Sequence, residues 1–137
     1  MNLAPVVAQL KADLTSFRQV GAVADMATAE AAKAIIFPAA FVVPMDERAG
    51  AVASISGAPQ QIDVRFMVVV VIANRRDATG AAALNDLQAR RDEVLTALRG
   101  WVPDGAINAP VWQAGRVLRL AEPQLWWGDT FACIAYT

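Results

Sequence analysis

Leu3, Val6, Val7, Leu10, Leu14 and Phe17 recur at spacings of three and four, which places all six on one face of a helix. Gln9, Lys11, Asp13 and Gln19 fall away from that stripe, and Pro5 is tolerated in a first turn. The segment reads as an amphipathic helix laid on a core and running towards Gly21; a helix lying on a membrane surface would carry a basic polar face. Residues 20–26 read as a short first strand, and the alanine-rich stretch 27–33 is ambiguous in type. Residues 34–43 have strand composition with Pro38 in their middle. Proline cannot donate to a ladder, so this strand is expected at a sheet margin or at a bulge.

The clearest strand is 62–73. Its first half alternates, with Ile62, Val64 and Phe66 on one side and Asp63 and Arg65 on the other. From Met67 to Ile72 both faces are apolar, as in a strand covered on two sides. The second cover comes either from this chain, as in an ordinary central strand, or from another subunit. Between these strands, residues 44–61 hold Gly50, Gly57, Pro59 and small residues with no strong period, a length that in a compact domain marks a functional arm or a surface loop.

A turn at 74–80, with Asp77 and Thr79 as candidate caps, leads into a second helix. That helix carries Leu84, Leu87, Val94, Leu95 and Leu98 on one stripe and ends at Gly100. Residues 101–115 form a turn-rich connector pinned by Trp101 and Trp112. The chain closes with a strand at 116–121, a Glu122-Pro123 turn and an aromatic strand at 125–136. Phe131 and Cys133 are expected to pack inward, and Trp126 and Trp127, being neighbours in a strand, to face opposite sides. The order of elements predicts a single α+β domain, 1–137: an antiparallel or mixed β-sheet with two α-helices packed on one face.

Composition narrows the chemistry. The chain has no histidine, so the commonest general base and zinc ligand are missing, and its single cysteine, Cys133, lies in an apolar strand where it acts as a small hydrophobe. No disulfide can form within the chain, no Cys-based metal site has enough ligands, and no glycine-rich phosphate fingerprint follows a strand. No enzyme, cofactor or metal centre is indicated. A formal charge of −1 without a Lys/Arg cluster argues against a grip on nucleic acid. No signal peptide begins the chain, and its longest apolar run is far short of the roughly 20 residues that span a bilayer. A hydrophobic fraction of 56% exceeds the roughly 45–50% of ordinary domains; much of the excess is alanine, which packs helices closely, and the remainder points to subunit contacts.

The N-terminal amphipathic helix, the 35–43 strand, the 44–61 excursion, the Asp63-Val-Arg-Phe-Met-Val-Val strand, the 82–99 helix and the closing Trp127-Gly-Asp-Thr-Phe131 strand together resemble the bacteriophage tail terminator family, the lambda-type neck component. The resemblance implies a structural virion protein, assembled in the host cytoplasm, whose hexameric ring caps the tail tube, stops its polymerisation and offers a head-attachment surface. The implied partners are other copies of the chain, the tail tube protein, a head–tail connector or neck protein, and DNA passing through the channel without sequence-specific binding; no membrane is involved. Candidate subunit or tube contacts are Asp46, Glu47, Arg48 and Ile55 in the 44–61 excursion, Met67, Val69 and Val71 on the second apolar face, and Trp126 and Trp127. Trp127→Ala is expected to weaken assembly more than folding. The alternatives are another head–tail completion protein or a small ligand-binding or enzyme domain.

Overall fold

A computed structural model describes residues 1–50, 57–74, 81–121 and 123–137. Its elements in chain order are α1 (Ala4–Asp13), β1 (Gln19–Ala22), α2 (Val23–Ala31), β2 (Ala39–Ala49), β3 (Gln61–Ala73), α3 (Ala81–Leu98), β4 (Val111–Ala121) and β5 (Gln124–Tyr136). The five strands form one mixed sheet in the order β1-β2-β3-β5-β4. β1 runs parallel to β2, and the other neighbours are antiparallel. The fold is α+β as the pattern predicts, with three helices in place of two.

β3 is the spine of the molecule. Its alternate residues Val64, Phe66, Val68, Val70 and Ile72 face a core shared with Val6 and Leu10 of α1, Leu87, Val94 and Leu98 of α3, and Leu125, Phe131 and Cys133 of β5. Phe66 and Phe131 stack there with ring centroids 5.7 Å apart. Each large apolar side chain fully withdrawn from water contributes about 1.5–3 kcal/mol, so this face carries most of the stability. The opposite residues of β3, Met67, Val69 and Val71, belong to a second cluster with Ala39, Phe41 and Trp126, flanked by Met26 of α2, Ile35, Phe37 and Val43.

The cover over the second apolar face is therefore the chain's own. The ambiguous 27–33 stretch lies largely within α2, whose inward residues are only Met26 and Ala29, too few to register as an amphipathic period. Asp25 fixes its start by accepting a hydrogen bond from the Ala22 N–H at 2.7 Å. A Cβ at Gly21 would lie 2.7 Å from that carboxylate, which explains a glycine in β1.

Three boundaries differ from the pattern. α1 ends at Asp13 rather than near Gly21, because the Arg18 N–H already bonds the Pro38 carbonyl at 2.9 Å and the backbone enters the sheet. Pro38, after a cis bond to Phe37, precedes β2 and does not interrupt it. β2 continues through Pro44 to Ala49, with a register shift between Pro44 and Asp46 that accommodates the proline, so residues 44–49 are strand and not the start of a loop. Nor is β2 a margin along its whole length: β1 flanks Ala39–Val42, and beyond Val42 no strand among the described residues pairs with its outer side.

Candidate functional site

No group of three or more His, Cys, Asp or Glu among the described residues could hold a metal ion, and no described helix is long and apolar enough to cross a membrane. Burial raises the pKa of the Cys133 thiol, which lies on the core face beside the helices. The reactive inventory of the described residues is thus thin, and the features that stand out are surfaces.

The first is β4. It pairs with β5 on one side and lies at the sheet margin on the other. From Val111 to Leu120 every residue except Gly115 is exposed, on both faces of the strand. Val111, Trp112, Val117, Leu118 and Leu120 are among the exposed large hydrophobics, Leu120 at 67% and Val111 at 57%. By register, Trp112, Val117 and Leu120 lie opposite Phe131, Trp127 and Leu125, on the face that carries α1 and α3. The helices stop short of this margin and leave the three side chains uncovered. The sequence locates the strand only from residue 116, because bulges between Trp112 and Ala114 and between Val117 and Arg119 break its alternation.

A buried charge pair ties this strand to the body. Asp129 of β5, only 1% exposed, accepts hydrogen bonds from Arg91 Nε and Nη2 of α3, both at 3.0 Å, and from Trp112 Nε1 of β4 at 2.9 Å. The Arg91 guanidinium also lies over the Trp127 ring, 4.6 Å from its centroid. A Cβ at position 115 would sit 2.5 Å from the Asp129 carboxylate and 3.0 Å from Trp127, so only glycine lets β4 approach. On the opposite face Arg119 lies 4.5 Å from the centroid of Trp126 and pairs with Glu30 of α2. The Arg90-Arg91 pair reads from sequence as a surface or ion-pair feature, and Arg91 does form an ion pair; its partner Asp129 is not legible there, since a lone aspartate within an aromatic strand carries no spacing signal.

The second surface is a groove of about 590 Å³ at the other end of the sheet, where β1 stops. Leu3, Val7 and Ala8 along α1, Val23 of α2, and Val42 and Pro44 of β2 line it. Lys11 is the one charged side chain in that lining, and the walls lack the convergent polar side chains that orient a small-molecule ligand.

The candidate residues from sequence distribute differently. Met67, Val69 and Val71 are buried beneath the chain's own second cluster, which removes them from reach of another subunit. Trp126 and Trp127 do face opposite sides, but Trp126 is buried and Trp127 is half-buried against the main core, so neither is an outward anchor. Phe131 and Cys133 pack inward as expected. Asp46 lies on β2, where its carboxylate receives Arg65 Nε at 2.8 Å and Arg65 Nη2, with Arg48 at 3.4 Å. The hydrogen bond from Arg65 holds the Asp46 carboxyl below its usual range. Glu47 lies 2.7 Å from the Met1 amino group. Arg48 and Arg65 join Val111 and Gln113 around a recess of about 430 Å³ on the face away from α1 and α3. Ile55 lies outside the described residues.

A protein-family model described as "Phage tail terminator protein" matches residues 1–136. No curated protein gives a significant match.

Proposed function

The chain belongs to the phage tail terminator family, and on that premise we propose that its copies form a hexameric ring that caps the tail tube, ends its polymerisation and presents the surface on which the head is mounted. Membership makes it a structural component of the bacteriophage tail. The observation that supports a ring is β4: an 11-residue marginal strand, exposed on both faces and carrying five large apolar side chains, is a surface that soluble monomers avoid and subunit contacts use. A near-neutral charge fits a ring that lets DNA pass without holding it. The other partners in this reading are the tail tube protein and a head–tail connector or neck protein, with assembly in the host cytoplasm. The residues that bear subunit contacts in this proposal are those of β4, in place of Met67, Val69, Val71, Trp126 and Trp127. Asp46, half-buried, and Arg48, exposed, both on the continuation of β2, stay as candidates for the tube or head surface.

Electron microscopy of the purified chain mixed with tail tubes tests the proposal. The expected result is a ring-shaped density at one end of each tube and no further tube growth when tube subunits are added. Tubes that bind no chain at their ends, or that elongate regardless, would refute it.

A further inference from the structure

The two surfaces at the ends of the sheet match each other. Closed rings with more than two subunits are built from heterologous contacts, in which one patch of a subunit meets a different patch of the next. When the subunits of such a ring meet sheet edge to sheet edge, all turn the same face the same way, and patches that lie on one face at opposite ends of the sheet are brought together. The uncovered stripe of β4 (Trp112, Val117 and Leu120) and the α1–β2 groove meet both conditions. Trp112, Val117 and Leu120 share the face of α1 and α3 at the β4 end, and the groove is walled by α1 on that same face at the β1 end.

Their chemistry also agrees. The stripe is apolar and exposed, while the groove is apolar and concave, with about 590 Å³ of room. On the other face of the sheet the charges are opposite. Arg116 of β4 is exposed and makes no ion pair with a described residue, and Asp25 of α2 is exposed beside Gly21 at the β1 end. We propose that the β4 stripe of one copy seats in the α1–β2 groove of the next copy, with Arg116 brought towards Asp25 of that copy. The proposal rests on the ring reading and adds to it the identity of both contact surfaces and their head-to-tail sense.

Leu120→Glu and Ala8→Glu test it together. Both positions are exposed, glutamate is compatible with the helix at position 8, and the two blocked surfaces carry the same charge and cannot rescue each other. Circular dichroism and thermal melting establish that each variant is folded. With tail tubes present, each variant alone is expected to lose the ring, while an equimolar mixture yields dimers by native mass spectrometry, because one intact stripe meets one intact groove and growth stops there. The proposal is overturned if Leu120→Glu abolishes assembly while Ala8→Glu leaves it intact, if both assemble as the wild type does, or if the mixture stays monomeric well above the concentration at which the wild type is fully assembled. Wild-type chain that forms no ring on tubes defeats the ring reading itself; a wild-type ring combined with any of the preceding results defeats only this assignment of surfaces.

Discussion

Asp129→Asn removes the charge from a carboxylate that is 1% exposed and receives three hydrogen bonds, two from Arg91 and one from Trp112. Breaking a buried ion pair costs about 3–5 kcal/mol, chiefly because the surviving partner is left charged and out of water. The side chain of Arg91 is 17% exposed and can still turn a guanidinium nitrogen to solvent, which places this variant near the lower end, about 3 kcal/mol. Arg91→Met leaves the Asp129 carboxylate with Trp112 as its one side-chain donor among the described residues and no route to water, so its cost lies at the upper end, about 4–5 kcal/mol. The sign of the second substitution is the decisive quantity. Introduced into Arg91→Met, Asp129→Asn discharges the stranded carboxylate and retains an oxygen for the Trp112 N–H, so it should restore about 2 kcal/mol rather than remove 3. Urea unfolding of the wild type, both single variants and the double variant, followed by tryptophan fluorescence, measures all four corners. In thermal melts the Asp129→Asn loss corresponds to a fall on the order of 10 °C. If Asp129→Asn destabilises both backgrounds equally, the pair is not coupled and the account of how β4 is held fails.

Three further outcomes follow from particular contacts. Gly115→Ala should lower stability by about 1–3 kcal/mol, since the added methyl would lie 2.5 Å from the Asp129 carboxylate; an unchanged urea midpoint would contradict the packing of β4 on β5. Trp127→Ala should reduce folding stability by about 3 kcal/mol, because the ring packs on the core and supports Arg91, and a variant of native stability that fails only in assembly would restore Trp127 as a contact residue. Asp46→Asn should be less stable than the wild type at neutral pH. Because the Asp46 pKa is depressed in the folded protein, that advantage of the wild type is full above the ordinary value of 3.8 and is lost as pH falls through the folded value; a gap that persisted undiminished in strong acid would exclude the Arg65 contact as its source.

The sequence pattern was most legible where one side chain type repeats at one period. The long helix ending at Gly100, the two-faced apolar run of β3 and the closing strand appear as read, within a few residues, and the stripe of the first segment packs inward as read although α1 itself stops at Asp13. The misses have physical causes. α2 buries only Met26 and Ala29, and an alanine-rich helix with so small a footprint has little amphipathic signature. β2 runs on past Pro44 through Asp46, Glu47 and Arg48, whose polarity reads as loop until Arg65 and the Met1 amino group are found opposite them. Met67, Val69 and Val71 read as contact candidates because a strand covered by its own chain and one covered by a second subunit have the same apolar pattern. Val117, Leu118 and Leu120 gave the reverse error: they read as half of a packed hairpin, and nothing local to them records that the helices end before reaching β4.

The two bulges in β4, at Gln113 and Leu118, bear on which molecules this chain can be mistaken for a partner by. Generic strand capture, the route by which unrelated chains or misfolded copies add to a sheet, needs a run of evenly spaced amide and carbonyl groups. Between bulges β4 offers only a few residues in regular phase, so an incoming strand loses its pairing almost as soon as it gains it. A strand so interrupted is a poor template for its own backbone yet keeps Trp112, Val117 and Leu120 on display. Recognition is thereby moved from a feature every polypeptide shares to a side-chain relief that only a shaped surface can read, and a sticky margin becomes a selective one.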